Sequence, residues 1–107
     1  MNLQTINDIA SEIFDALNQQ KIIQPLTDRY PEIDIKDAYQ ISRKFLSLRE
    51  SNGERVIGKK IGVTSSVVQE MLGVDQPDFG FLTDTMRVQT RSSFSIEDSL
   101  IQPRPEA

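Results

Sequence analysis

Residues Gly58 to Asp84 carry the strongest constraint on what this chain can fold into. The stretch reads GKKIGVTSSVVQEMLGVDQPDFGFLTD and holds Gly58, Gly62, Gly73 and Gly80, four of the five glycines in the sequence, together with the only adjacent lysine pair, Lys59-Lys60. A β-type run begins at Arg55-Val56-Ile57, meets Gly58, and resumes as Lys60-Ile61-Gly62-Val63. Two glycines so close in a strand point to a bulge, or to backbone that another group must approach. Thr64-Ser65-Ser66 reads as the cap of a short helix over Val67 to Leu72, with Gly73 as its left-handed stop. Gln76-Pro77-Asp78 makes a turn, and Phe79, Phe81 and Leu82 around Gly80 read as a strand entering the core. No GxxxxGK[ST] or GxGxxG spacing occurs here, so the glycines do not build a standard nucleotide loop.

A helical prelude precedes this stretch. From Thr5 to about Gln20 the apolar residues Ile6, Ile9, Ala10, Ile13, Phe14 and Leu17 fall on one stripe of an amphipathic helix, with Thr5 as N-cap and Asp8 near the positive end of its dipole. Pro25 and Pro31 predict an extended connection over residues 21–33. Asp34 caps a second helix running to about Glu50, with Ala38, Ile41, Phe45 and Leu48 on its buried face, Asp37 in its first turn and Ser51-Asn52-Gly53 as its stop. Arg43, Lys44 and Arg49 read as solvated charges on that helix. After Asp84 the pattern thins to short extended pieces at Met86 to Val88 and Phe94 to Ile96, and Leu100-Ile101 asks for burial close to the end of the sequence.

Composition removes whole classes of chemistry. With 107 residues, 37% of them hydrophobic and 26% charged, the chain is sized for one soluble core. Twelve basic against sixteen acidic residues give a net charge of -4, which argues against nucleic acid or an anionic membrane surface as partner. The absence of Cys and His leaves no disulfide, no thiolate or imidazole metal site and no imidazole base in this sequence. Proton transfer falls to Lys, Asp, Glu or Tyr, and a metal site would be built from oxygen, which favours Mg²⁺, Ca²⁺ or Mn²⁺. The first residues, MNLQTINDIASEIF, resemble neither a signal peptide nor a membrane span, so a cytoplasmic location is the simplest reading.

Four places carry candidate chemistry. Lys60, flanked by Gly58 and Gly62, could be partly desolvated and serve as acid, base or amine nucleophile; the alternative is that Lys59 and Lys60 point to opposite faces of a strand as surface residues. Ser65 and Ser66 are explained as helix caps, or as hydroxyls that help the exposed amides of the short helix bind a carboxylate. Asp75, Asp78 and Asp84 offer oxygen ligands but also suit turns and strand ends, without the alternating spacing of a calcium loop. Glu106 could ligate a hard cation, yet one carboxylate is not a site.

Taken together, Gly58-Lys59-Lys60-Ile61-Gly62-Val63-Thr64-Ser65, Gln69 and Leu72-Gly73-Val74-Asp75-Gln76-Pro77-Asp78-Phe79-Gly80 closely resemble the 2-keto-4-pentenoate (2-hydroxypenta-2,4-dienoate) hydratases. These are grouped with the 4-oxalocrotonate decarboxylases in the fumarylacetoacetate hydrolase-like superfamily. Tyr30-Pro31-Glu32-Ile33, Asp37-Ala38-Tyr39 and the run Leu100 to Ala107 extend the resemblance along the chain. It implies a hydro-lyase of aromatic meta-cleavage catabolism, adding water to a 2-hydroxy-2,4-dienoate to give a 4-hydroxy-2-oxo acid with Mg²⁺ or Mn²⁺. It further implies Lys60 as the proton-transfer residue, Ser65 and Asp78 as substrate-binding residues, and Glu106 as the first carboxylate of a metal-binding Glu-x-Glu motif.

The resemblance also sets expectations for what the chain lacks. The hydratases continue with a second Glu directly after the position of Ala107, a third ligand and a large β-rich domain. The expectation is an N-terminal fragment, inactive alone, of α+β class: a helical part over residues 1–54 and, over residues 55–107, the first strands of a truncated fumarylacetoacetate hydrolase-like mixed β fold. Unpaired strand edges predict a homo-oligomer, and the expected partner is a small 2-hydroxy-dienoate or 2-oxo acid. The rival readings are a decarboxylase of the same superfamily, and a non-catalytic interaction domain in which the glycines serve packing alone.

Overall fold

Asn2 caps the first helix, three residues before the cap expected from the sequence. In the computed structural model, which describes residues 1–105, the Asn2 side-chain oxygen accepts both the Thr5 amide at 2.8 Å and the Thr5 hydroxyl at 2.9 Å. Thr5 is therefore a donor inside α1 (Leu3–Asn18) and not its cap. The apolar stripe does what its spacing demands: Ile6, Ile9 and Ala10 are buried against α3 (Ile35–Ser51), whose Ile41 is buried in return. Ile13, Phe45 and Leu48 pack around this cluster, and the Phe14 and Phe45 rings meet edge-on with centroids 6.5 Å apart.

α3 begins at Asp34 as expected, and its cap is reciprocal. The Asp37 amide donates to the Asp34 carboxylate at 2.7 Å while the Asp34 amide donates to Asp37 at 3.3 Å, so two backbone donors at the helix start are satisfied at once. Ala38 is exposed, not on the buried face. Between the two helices the chain is not wholly extended: Pro25 precedes a single turn, α2 (Leu26–Arg29), since a proline that cannot continue a helix fits well at its start. Arg29 of that turn forms a two-pronged ion pair with Glu12 of α1 at 2.7 and 2.8 Å.

β1 (Val56–Gly62) and β2 (Asp78–Thr83) form a two-stranded antiparallel sheet with α4 (Ser66–Leu72) in their connection. The register pairs Lys59 with Phe81, Lys60 with Gly80, Ile61 with Phe79 and Gly62 with Asp78, and it shifts between Val56 and Gly58, the irregularity that the glycine spacing predicted. β2 does not enter a core: Phe79 and Leu82 are exposed. Residues 87–95 hold no helix or strand, and where an extended piece was expected at Phe94 to Ile96, Ser95 caps a further single turn, α5 (Ile96–Ser99). Leu100 and Ile101 remain partly exposed.

The helices and the hairpin are tied together by a polar knot. Arg49, expected to be solvated, is buried, with Nη2 2.7 Å and Nε 2.9 Å from one oxygen of Glu54. The same oxygen accepts the hydroxyls of Thr83 and Thr85, each at 2.6 Å. Arg49 belongs to α3, Glu54 to the turn after it, and Thr83 to the end of β2. Burial alone pushes the Glu54 carboxyl up, but hydrogen bonds from Thr83, Thr85 and Arg49 outweigh it and hold the group below its ordinary value.

Candidate functional site

Strand alternation sorts the central stretch into two faces. Lys60 lies opposite Gly80, with Gly58 and Gly62 two residues to either side of it on the same strand face. A methyl group built onto Gly62 or Gly80 would meet nothing within 4 Å, and one on Gly58 would only touch the Leu82 side chain at 3.8 Å. Backbone conformation does not require any of these three glycines, because positive φ occurs only at Gly53 and Gly73 among the glycines. Their effect is to clear space beside Lys60, which stands exposed on a face that it shares with Leu82 and Asp78. Asp78, opposite Gly62, is its diagonal neighbour on that face, within reach of a common small ligand.

Beyond Gly62 the chain turns sharply. Val63 has φ of 55°, a left-handed conformation that a β-branched residue adopts only under constraint. Its carbonyl accepts the Gln69 side-chain amide at 2.9 Å, which pins the start of the turn to α4. Ser65 caps α4, accepting the Val68 amide at 3.2 Å, while Ser66 is the first residue of the helix itself. Gly73 closes α4 with φ of 71°. At the other end of the hairpin, the Asp84 carboxylate accepts the Arg55 amide at 3.0 Å, a bond that holds its carboxyl below the usual range.

Of the expected site residues, Lys60 and Asp78 share one face, and Ser65 sits past the end of β1 with its hydroxyl engaged as a cap. Glu106 lies outside the described residues. Among those residues there is no group of three or more acidic side chains placed to hold a metal ion, so the described part of the chain does not by itself fit a divalent cation. The same residues include no helix long and apolar enough to cross a membrane. The sequence missed Tyr39, which belongs to this region: its hydroxyl accepts the Phe79 amide at 3.3 Å and its ring stands 6.3 Å from that of Phe79. Its place in the helical stripe, one turn before Arg43 and one after Lys36, was the available signal.

Comparison with known proteins finds hydratases and a decarboxylase among the proteins similar to this chain. No family model matches the chain. It is 50% identical over 106 residues to a 2-hydroxypent-2,4-dienoate hydratase of Pseudomonas putida, covering 99% of this chain and 48% of that protein. It is 52% identical over 104 residues to a 2-hydroxyhexa-2,4-dienoate hydratase of Comamonas testosteroni, covering 96% and 39%. The structure of the 4-oxalocrotonate decarboxylase from Pseudomonas putida G7, complexed with magnesium and adipate, matches with a TM-score of 0.76 at 28% identity, covering 79% of this chain and 32% of that one. The chain is thus a homologue of the 2-keto-4-pentenoate hydratases along nearly its whole length, and it spans less than half the length of these relatives.

Proposed function

We propose that this chain is the lysine-bearing portion of a metal-dependent hydratase that adds water to 2-hydroxypenta-2,4-dienoate, giving 4-hydroxy-2-oxopentanoate. The observation that carries this reading is Lys60 standing on a face cleared by Gly58, Gly62 and Gly80, with Asp78 diagonal to it. A flat dienoate can lie directly on such backbone, with its reacting carbons near one amine and its carboxylate held elsewhere. The hydratase names of its relatives, at 50% and 52% identity, support the same assignment.

In the reaction the enol oxygen loses a proton and C5 gains one, leaving a 2-oxo-3-enoate; water then bonds to C4 and a proton is delivered to C3. Lys60 is the group proposed to move these protons, a role that needs reach and exposure. Asp78 and Ser65 are proposed to orient the substrate. A divalent cation, Mg²⁺ or Mn²⁺, would polarise the 2-oxo group when bound; the proposal gives Glu106 a ligand role and leaves the remaining ligands to chain beyond the 107 residues. Residues 1–54 would then be a helical support and residues 55–107 the start of the catalytic part. A cytoplasmic homo-oligomer completes the proposal, supported by the exposed Ile57, Ile61 and Leu82 of the two-stranded sheet.

The test is a graft. This sequence replaces the segment it matches in the Pseudomonas putida hydratase, and water addition is assayed with Mg²⁺ or Mn²⁺, with CO₂ release from 4-oxalocrotonate measured alongside. The expected result is hydration in the graft, a loss of about a hundredfold or more in kcat for Lys60→Ala, and unchanged unfolding of that variant. A silent Lys60→Ala would favour the interaction-domain reading, and predominant CO₂ release the decarboxylase.

A further inference from the structure

Two side-chain hydrogen bonds join α3 to β2 among the described residues, and they differ in kind. At one end Arg49 of α3 reaches the Thr83 hydroxyl at 3.5 Å, inside the polar knot, where Thr83 is fully buried and also donates to Glu54. At the other end the Phe79 amide donates to the Tyr39 hydroxyl at 3.3 Å, and the two rings meet with centroids 6.3 Å apart. The spacing of the two ties matches: from Tyr39 to Arg49 the helix advances roughly 15 Å, and from Phe79 to Thr83 the strand advances roughly 13 Å in the same sense. α3 and β2 therefore run side by side, fastened near both ends of the strand. Hollows of about 410 and about 780 Å³ both border Tyr39 and Phe79, so the Tyr39 tie bridges a gap where the Arg49 tie is packed.

The geometry points to Tyr39 as a positioning residue for the Lys60 face, acting through the peptide bond between Asp78 and Phe79. The nitrogen that Tyr39 holds belongs to that peptide, so its hydroxyl fixes the plane from which the Asp78 side chain departs. Asp78 and Gly80 flank Phe79 and alternate with it in direction; Gly80 lies opposite Lys60, and Asp78 opposite Gly62. The tie thus reaches the Lys60 face through backbone. Stability does not account for the hydroxyl, because the bond is exposed and water can replace the lost acceptor. What water does not replace is a fixed direction, and proton transfer is sensitive to small misplacements. The effect on turnover rests on the hydratase reading, whereas the tie itself does not.

Tyr39→Phe removes one oxygen and keeps the ring, and it is read in two settings. In the 107-residue chain, hydrogen exchange followed by NMR should show the Phe79 amide exchanging about tenfold or more faster, with the amides of α1 unchanged and the urea midpoint close to that of the parent. In the hydratase graft the same change should lower kcat about tenfold while KM moves by less than about threefold. Tyr30→Phe, the same deletion at the other tyrosine of the chain, should leave both constants as they were. An unchanged Phe79 exchange rate overturns the tie, and a kcat equal to the parent's overturns the positioning role. A rise in KM at constant kcat overturns it as well, since the hydroxyl would then hold substrate directly. So does a Tyr39→Phe variant that unfolds or loses its urea midpoint, since the hydroxyl would then serve folding alone. A graft that does not hydrate, or in which Lys60→Ala is silent, is a failure of the hydratase reading instead; exchange at Phe79, measured without substrate, still decides whether Tyr39 holds the strand.

Discussion

Ile9 and Ile41 keep 1% and 3% of their surface where α1 packs on α3, whereas Ile61 and Phe79, paired across β1 and β2, keep 57% and 55%. Both pairs are apolar and both sit in regular structure, so propensity does not separate them. What does is closure. The helical stripe finds a second stripe within the same chain, and each helix covers the other. Among the described residues the hairpin has two strands, one helix in its connection and no second layer, so most of its apolar side chains are exposed and its outer strand edges are unpaired there. The part that is finished supports, and the part that is open carries the glycines, the lysine pair and the strained Val63. A binding surface needs that openness, because a ligand can only occupy what the protein does not fill.

If that contrast is real, truncation at the two places should give very different results. Ile9→Ala removes a fully buried side chain from the helix interface and should lower stability by about 3 kcal/mol, within the range for buried Ile to Ala changes. Phe79→Ala should lower it by about 0.5 kcal/mol, since over half of the residue is already in water and what is lost is its contact with Tyr39 and its cross-strand pairing with Ile61. Urea unfolding of the two variants measures both. Equal losses would mean that the hairpin is packed against something as firmly as the helices are.

The Arg49–Glu54–Thr83–Thr85 knot is where the two regions meet, and it sharpens the comparison. Glu54→Ala leaves the Arg49 guanidinium buried without its partner and should be destabilising by a comparable amount, about 3 kcal/mol, at the lower end for breaking a buried pair from one side. Replacing both partners at once, Arg49→Met with Glu54→Leu, should lose less than the single change. The pH dependence has a definite sign. Glu54 is held below its ordinary 4.5 in the folded chain, so its contribution is complete above that value and disappears as pH falls through the lower folded value. Between pH 7 and pH 3 the parent should therefore lose more stability than Glu54→Gln does. Parallel acid titrations that coincide would show that the carboxylate is not what joins helix to hairpin.

The sequence showed the helices, the interrupted strand, the capped α4 and the relationship to the hydratases, because each is written in local spacing or in a long motif. It did not show Arg49. A helical arginine between Leu48 and Glu50 looks solvated; only a turn at Asn52-Gly53 that brings Glu54 back, and a strand end that delivers Thr83, make it an interior residue. Phe79 and Leu82 failed in the other direction, since their alternation is that of a core strand while the layer that would bury them is absent from the described residues. Thr5 lost the cap to Asn2 because both residues offer a side-chain oxygen, and the side-chain carbonyl oxygen of Asn2 accepts two bonds where a hydroxyl at position 5 would begin the helix late. On the candidate site, the pairing of Lys60 with Gly80 and of Gly62 with Asp78 required the register, which no spacing within one strand specifies.

The smallest expected change in stability is the one that distinguishes a cleared binding face from a glycine the fold needs. Gly62 has an ordinary negative-φ conformation and space for a methyl group, whereas Gly73 has φ of 71°. Gly73→Ala should therefore be destabilising by about 1 kcal/mol through backbone strain. Gly62→Ala should change stability by no more than about 0.5 kcal/mol, in the favourable direction if at all, because an alanine loses less freedom on entering a strand. In the grafted hydratase the order should reverse: Gly62→Ala, which puts a methyl group beside Lys60, should depress kcat/KM by about tenfold or more, while Gly73→Ala should act on turnover only through folding. The stability half is read by urea unfolding and the activity half by initial rates on the same preparations. A Gly62→Ala variant that is both stable and fully active would show that the cleared face is not where substrate lies.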